Sequence, residues 1–214
     1  RERVREAASM LGYVPHGAAR ALASRRSRTI GAVFPPVDNP IFAAATQSLG
    51  HALASAGYTL LLATHEYDPA AELVATRTLI ERGVDGLVLV GLDHDPRMFQ
   101  LLRQAGVPYE ITWSVDPAGF HHCVGVAHRI ASVRATQHLL ELGHREFAVL
   151  SGDTAHNDRT RERLAGVREA LAARAIELRN DRVIEAEFTL PQARTAFARL
   201  LAHDTARQSS ASDP

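Results

Sequence analysis

From Thr29 onward the chain repeats one pattern: a short apolar run, a turn, an amphipathic stretch with apolar residues at helical spacing, then a glycine stop. Thr29 to Phe34 reads as a buried strand. Asn39-Pro40 supplies an N-cap and a first-turn proline for a helix from Ile41 to Ala56, with Phe42, Ala45, Leu49, Ala52, Leu53 and Ala56 as its apolar stripe and Gly57 as its end. A strand over Tyr58 to Ala63, a helix over Pro69 to Arg82 with Leu73, Leu79 and Ile80 inward, and a strand over Gly86 to Val90 follow. A third helix opens at Asp95-Pro96 and stops at Gly106, before an extended segment from Pro108 to Thr112. Such alternation implies a doubly wound parallel sheet, because parallel strands need crossovers and helices provide them.

The pattern then starts again, more weakly. Cys123 to Val126 is a short strand, Ile130 to Leu142 a helix, Phe147 to Leu150 a strand, Glu162 to Ala173 a helix, Val183 to Ala186 a strand and Pro191 to Leu201 a helix. Two strands are few for an independent sheet, so this lobe reads as incomplete, with an exposed sheet edge and apolar helix faces that favour aggregation. From His203 the residues are polar and unpatterned, and 204–214 is expected to be a disordered tail. Ahead of Thr29, Val4, Ala7, Ala8 and Leu11 lie on one face of a helix that ends near Gly12, and a short helical stretch covers Ala18 to Ser24.

Composition narrows the function. At 214 residues and 46% hydrophobic, the chain can bury a substantial core. No apolar run approaches the ~20 residues of a membrane-spanning helix and no secretory signal pattern is present, so a cytoplasmic location is the default expectation. The formal charge of zero conceals an asymmetry. Residues 1–28 hold seven Arg against two Glu, a net +5, which leaves −5 on the remainder. A basic front on a mildly acidic body suits a nucleic-acid contact tied to a domain that avoids phosphate; a solvated basic linker gives the same count.

Catalytic and metal chemistry find no support. Cys123 is the single cysteine, and His121, His122, Cys123 and His128 match no metal-ligand spacing. A Gly-x-Gly dinucleotide turn, a phosphate loop and a nucleophile elbow are all missing. The expectation is therefore no enzyme, no cofactor and no metal. In doubly wound sheets ligands bind beyond the C-terminal strand ends, which selects Asp38, Asn39 and Phe42 after the first strand, and Thr112 and Trp113 after the fourth. The alternative for Phe42 is a core residue, the commoner fate of an aromatic on a helix stripe, and Trp113 could stack on a sugar face or cover the sheet edge.

The motifs Leu11-Gly12-Tyr13-Val14-Pro15, Ala19-Arg20-Ala21-Leu22-Ala23, Thr29-Ile30-Gly31, Arg82-Gly83-Val84-Asp85-Gly86-Leu87, Leu142-Gly143-His144-Arg145 and Arg163-Leu164-Ala165-Gly166 occur in this order. Together they resemble the LacI/GalR-type bacterial transcriptional regulators. The resemblance spans the middle of a family member, from the end of the DNA-binding domain and hinge helix (1–28), through a periplasmic-binding-protein-like first lobe (29–127), into a partial second lobe (128–203). It implies a repressor in which paired hinge helices of a homodimer enter the minor groove of operator DNA. Leu22 is then the residue wedged between base steps, Ala19 approaches the groove floor, and Arg20, Arg25 and Arg26 meet phosphates. His16 stands where relatives often carry Asn. The resemblance further implies a small polar effector such as a sugar or sugar acid, bound by Asn39, Phe42, Trp113 and Arg163, the last offering a planar fork of donors. Ala127 replaces an Asp common in relatives and removes a hydroxyl acceptor. The competing reading is a periplasmic-type sugar-binding module with no DNA function.

Overall fold

The computed structural model describes residues 2–13, 26–37, 39–187 and 189–210. The described elements run α1 (Glu2–Met10), β1 (Thr29–Phe34), α2 (Pro40–Ser55), β2 (Thr59–Thr64), α3 (Pro69–Glu81), β3 (Gly86–Val90), α4 (Pro96–Ala105), β4 (Tyr109–Trp113), β5 (Cys123–Gly125), α5 (His128–Glu141), β6 (Val149–Ser151), α6 (Asp158–Ala172), β7 (Val183–Glu185) and α7 (Leu190–Ser210). Five strands form one sheet in the order β2-β1-β3-β4-β5, and β6 and β7 form a second. The pairs β1–β2, β4–β5 and β6–β7 are parallel, as the alternation of strand and helix requires. The fold is thus a doubly wound parallel α/β sheet with a short second sheet.

The chain divides into two compact units. The first comprises Arg1–His65, Ala70–Val88 and Pro96–Tyr109; the second comprises Glu66–Pro69, Leu89–Asp95 and Glu110–Pro214. The core of the first unit is built on Ala32, Val33 and Phe34 of β1, joined by Leu79, Val84, Leu87, Met98 and Leu102. Asn39 caps α2, its side-chain oxygen accepting from the Ile41 N–H at 3.0 Å, and Pro40 occupies the first turn. Phe42 is the one buried residue of α2 and its ring lies 6.2 Å from that of Phe34. Ala52 and Ala56, placed on the apolar stripe by periodicity, are exposed instead. Alanine at helical spacing marks either face equally well, because its single methyl buries little area.

In the second unit Leu140, Leu171 and Leu178 form a core with Phe147, Val149, Leu164, Val167, Ile176 and Val183 around it. Three helix ends differ from the sequence reading by two residues or more. Helix α5 starts at His128 and not Ile130, and α6 starts at Asp158 and not Glu162. The second shift follows from a cap that hydrophobic periodicity does not register: the Asn157 side chain accepts from the Thr160 N–H at 3.3 Å, and Asp158 sits in the first turn, where a carboxylate complements the helix dipole. Helix α7 continues to Ser210, so residues 204–210 are helical where a disordered tail was expected. No Gly or Pro interrupts the chain between Pro191 and Pro214, and extending an existing helix costs far less than starting one.

Candidate functional site

Two polar constellations stand out, one in each unit. In the first, the chain enters β1 through Arg26-Ser27-Arg28, and Asp85 holds this connector. Asp85 Oδ1 accepts from the Ser27 N–H at 2.8 Å and from the Ser27 hydroxyl at 2.9 Å, while Oδ2 accepts from the Arg28 N–H at 2.9 Å. Burial pushes the Asp85 carboxyl up, but the Ser27 and Arg28 donors and the nearby Arg26 charge outweigh it and hold the group below the ordinary aspartate value of 3.8. Beside it Ile30, Leu53, Tyr58, Ile80 and Val84 line a hollow of about 770 Å³ together with Arg26 and Ser27.

The second constellation gathers at the ends of β3 and β4 and the starts of α5 and α6. Trp113, the last residue of β4, has φ 64°, a left-handed backbone that a bulky residue adopts only under constraint. Its carbonyl lies 2.7 Å from His128 Nε2. Since a carbonyl only accepts, Nε2 carries the proton, and Nδ1 of the neutral ring presents a lone pair. Arg163 fills that position, with Nη1 3.3 Å from His128 Nδ1 and Nη2 donating to Thr160 Oγ1 at 3.0 Å. Burial depresses the His128 pKa below 6.5, helped by the Arg163 and Arg159 charges and opposed by the Trp113 carbonyl and Asp158. Burial also lowers that of Arg163, with the Arg159 charge adding to it and Tyr67 and Asp158 opposing it.

Around this chain of contacts lies a buried ion pair. Arg159, 7% exposed, donates from Nη1 to Asp158 Oδ1 at 3.0 Å and to the Val90 carbonyl at 3.2 Å. Ser114 donates its hydroxyl to Asp158 Oδ2 at 2.7 Å. Gly91, with φ 86°, makes room for the guanidinium: a Cβ there would stand 1.8 Å from Arg159 Nη1. Arg161 reaches Asp93 Oδ2 at 2.7 Å and the Thr154 carbonyl at 2.7 Å. The arrangement gathers three guanidinium groups, two carboxylates and the His128 ring near the Trp113 backbone, the equipment of a polar small-molecule site.

Of the residues singled out from sequence, Trp113 and Arg163 are brought together through His128. Asn39 and Phe42 belong to the first unit, where one caps α2 and the other packs against Phe34. Arg26 lies beside Asp85. His16, Ala19, Arg20, Leu22 and Arg25 lie outside the described residues, as does Asp38. Sequence reasoning passed over Ser114, His128, Asp158, Arg159 and Thr160. The Asn157-Asp158 pair, a helix-start signature, was the signal that could have found the last three. Ala127 is the N-cap of α5 and makes no side-chain cap bond. Among the described residues no group of His, Cys, Asp and Glu could hold a metal ion, and no helix is long and apolar enough to cross a membrane.

A doubly wound parallel sheet with a polar cluster beyond its strand ends has the architecture of the periplasmic-binding-protein type. The family model described as periplasmic binding proteins and sugar binding domain of LacI family matches residues 27–206, and the chain belongs to this family. The transcriptional regulator CelR of Thermobifida fusca is 34% identical over 210 residues, covering 94% of this chain and 61% of its own length. The repressor PurR of Photobacterium profundum is 31% identical, covering 87% of this chain and 56% of its own. Among solved structures, a CelR–cellobiose complex is similar with TM-score 0.67 and 30% identity, covering 94% of this chain and 61% of that one. A LacI-family regulator from Silicibacter pomeroyi reaches TM-score 0.73 at 26% identity, covering 83% and 53%. The chain therefore spans about six tenths of the length of such relatives.

Proposed function

We propose that this chain is the effector-responsive part of a LacI-type transcriptional regulator, a repressor acting as a homodimer in the cytoplasm. One observation carries the reading. The similarity to CelR extends over 94% of the chain, more than residues 27–214 can supply, so it enters the basic segment ahead of β1 as well as the ligand-binding module. That breadth favours a regulator over a binding module without DNA function.

Residues 1–28 then contribute to the DNA contact, with Leu22 as the apolar wedge, Ala19 and His16 beside it, and Arg20, Arg25 and Arg26 at phosphates. The effector is a small polar metabolite held in the second unit by Trp113 and Arg163, with His128 and Thr160 orienting the guanidinium. Asn39 and Phe42 are the candidates from the first unit. Asp85 ties the connector to β1 and β3, so a change felt by the first unit reaches the basic segment through Ser27 and Arg28. Effector and operator affinities are linked reciprocally, each altering the other by the same factor.

The test selects duplex DNA from a random pool with the purified protein and measures affinity by fluorescence anisotropy. Leu22→Ala is expected to weaken binding about tenfold or more, roughly 1.4 kcal/mol, and to reduce DNA bending. Unchanged affinity and bending in that variant overturn the wedge role. Failure of any sugar or sugar acid to shift operator affinity overturns the effector-responsive role.

A further inference from the structure

We propose that Arg28 is a two-state backbone joint: a left-handed, tied form held by Asp85, and an extended, released form that redirects the chain ahead of β1. The inference deepens the regulator reading above by naming the part of the first unit that carries its signal, and it rests on that reading wherever DNA is concerned.

Arg28, the last residue before β1, has φ 53°. In that region a Cβ crowds the following carbonyl oxygen, so a long side chain adopts it only when the surroundings impose it. Here they do. The turn brings two successive N–H groups, those of Ser27 and Arg28, onto the two oxygens of one carboxylate at 2.8 and 2.9 Å. Successive N–H groups converge on a single anion in turns of this kind and diverge in an extended strand. The Ser27 hydroxyl adds a third bond to Asp85 at 2.9 Å and accepts from the Thr29 N–H at 3.1 Å. Beyond the turn, the Arg28 carbonyl accepts from the Thr59 N–H at 2.8 Å, which anchors the residue to the start of β2. Its guanidinium lies over the end of α2, where a Cβ on Gly57 would stand 3.2 Å from Arg28 Nη1 and where the last helix carbonyls favour a cation.

Three features make this a joint and not a fixed turn. The Arg28 bond to Asp85 is exposed and those from Ser27 are only partly buried, so water competes for every donor that holds the strain. The residue is arginine, whereas glycine would take the left-handed form without strain; arginine sets stored strain against the Asp85 bonds and brings the two forms close in free energy. The hollow of about 770 Å³ beside Asp85, with Arg26 and Ser27 on its wall, leaves space for the connector to turn once released. Released, Arg28 returns to a negative φ and continues the extended backbone of β1, so one residue at an element end absorbs the whole change of direction.

The test compares Arg28→Gly, Arg28→Ala and Arg28→Val in the purified chain by amide hydrogen exchange read by NMR. All three lose the guanidinium, so they differ in how readily residue 28 takes a positive φ: glycine freely, alanine against strain, and β-branched valine least of all. In the parent, the Ser27 and Arg28 amides are expected to open together and to be at least tenfold less protected than Val33 and Leu87 of the core. Ser27 protection should fall about fivefold from the glycine to the alanine variant, and further in the valine variant. Equal or reversed protection across the series, or Ser27 and Arg28 amides that exchange only when the core does, overturns the joint. Affinity for the duplex selected with the parent should follow the same order, with at least a fivefold span from glycine to valine. Affinity that ignores the order overturns the regulatory role of the joint and leaves the regulator reading intact. If the parent selects no duplex, the regulator reading fails, and the exchange series alone decides the joint.

Discussion

Asp85 and Arg163 each belong to a short motif, Arg-Gly-Val-Asp-Gly and Arg-Leu-Ala-Gly, and each reaches across the chain to hold a distant segment. Asp85 is fully employed. It accepts three hydrogen bonds from Ser27 and Arg28 and lies near the Arg26 charge, and the outcome is a carboxyl more acidic than usual. Arg163 bonds only neutral atoms, and its charged form is disfavoured by burial. A carboxylate held by three donors serves as a structural tie; a guanidinium that ends on a ring nitrogen and a hydroxyl, with the Asp158 charge near it, is held less tightly.

The sharpest way to break this contrast is at Gly166, one turn beyond Arg163. A Cβ there would stand 2.3 Å from the Arg129 carbonyl oxygen, so Gly166→Ala must push α5 and α6 apart. We expect a loss of about 3 kcal/mol in urea unfolding, with separation of His128 from Arg163 and loss of effector response, while the Asp85 tie is untouched. Next in size, Asp85→Ala should cost about 1.5 kcal/mol, moderated because the carboxylate stays partly in water, and should accelerate amide exchange at Ser27 and Arg28.

Acidity probes the two regions separately. Asp85 has a folded pKa below its unfolded value, so its stabilisation is present above about pH 3.8 and disappears as pH falls through the lower folded value. His128 also has a lowered folded pKa, and the sign is the same at a higher pH: below about pH 6.5 the unfolded chain takes up a proton that the native ring refuses, so stability declines as pH falls from 7 to 5. Melting temperatures across that range should slope upward with pH in the parent protein and more shallowly in His128→Gln. The smallest effect belongs to the exposed Arg129–Glu169 pair, where Arg129→Ala should leave the melting temperature within error.

Much of the fold was legible from local signals. Strand β3 has the bounds expected, and the Asn39 cap, the Pro40 first turn and the glycine stops lie where turn chemistry put them. The start of α6 was misread because Asn157-Asp158-Arg159-Thr160-Arg161 has no apolar period, so a cap was the only indicator. Ala52 and Ala56 were misassigned because small side chains carry no strong preference for either face. The site was half legible. Trp113 and Arg163 were chosen for strand-end position and motif, but His128, the residue that joins them, read as one of several histidines near an extended segment.

Caps, breakers and periodicity act within a few residues, so the order of strands and helices, and with it the parallel sheet, followed from the chain's own text. The state of Arg163 could not. It depends on residues 113, 128, 158, 159 and 160, drawn from two helices and a strand end, meeting at distances near 3 Å. Only packing decides such meetings, because the burial that strips water from a charge and the partner that replaces it come from segments remote in sequence.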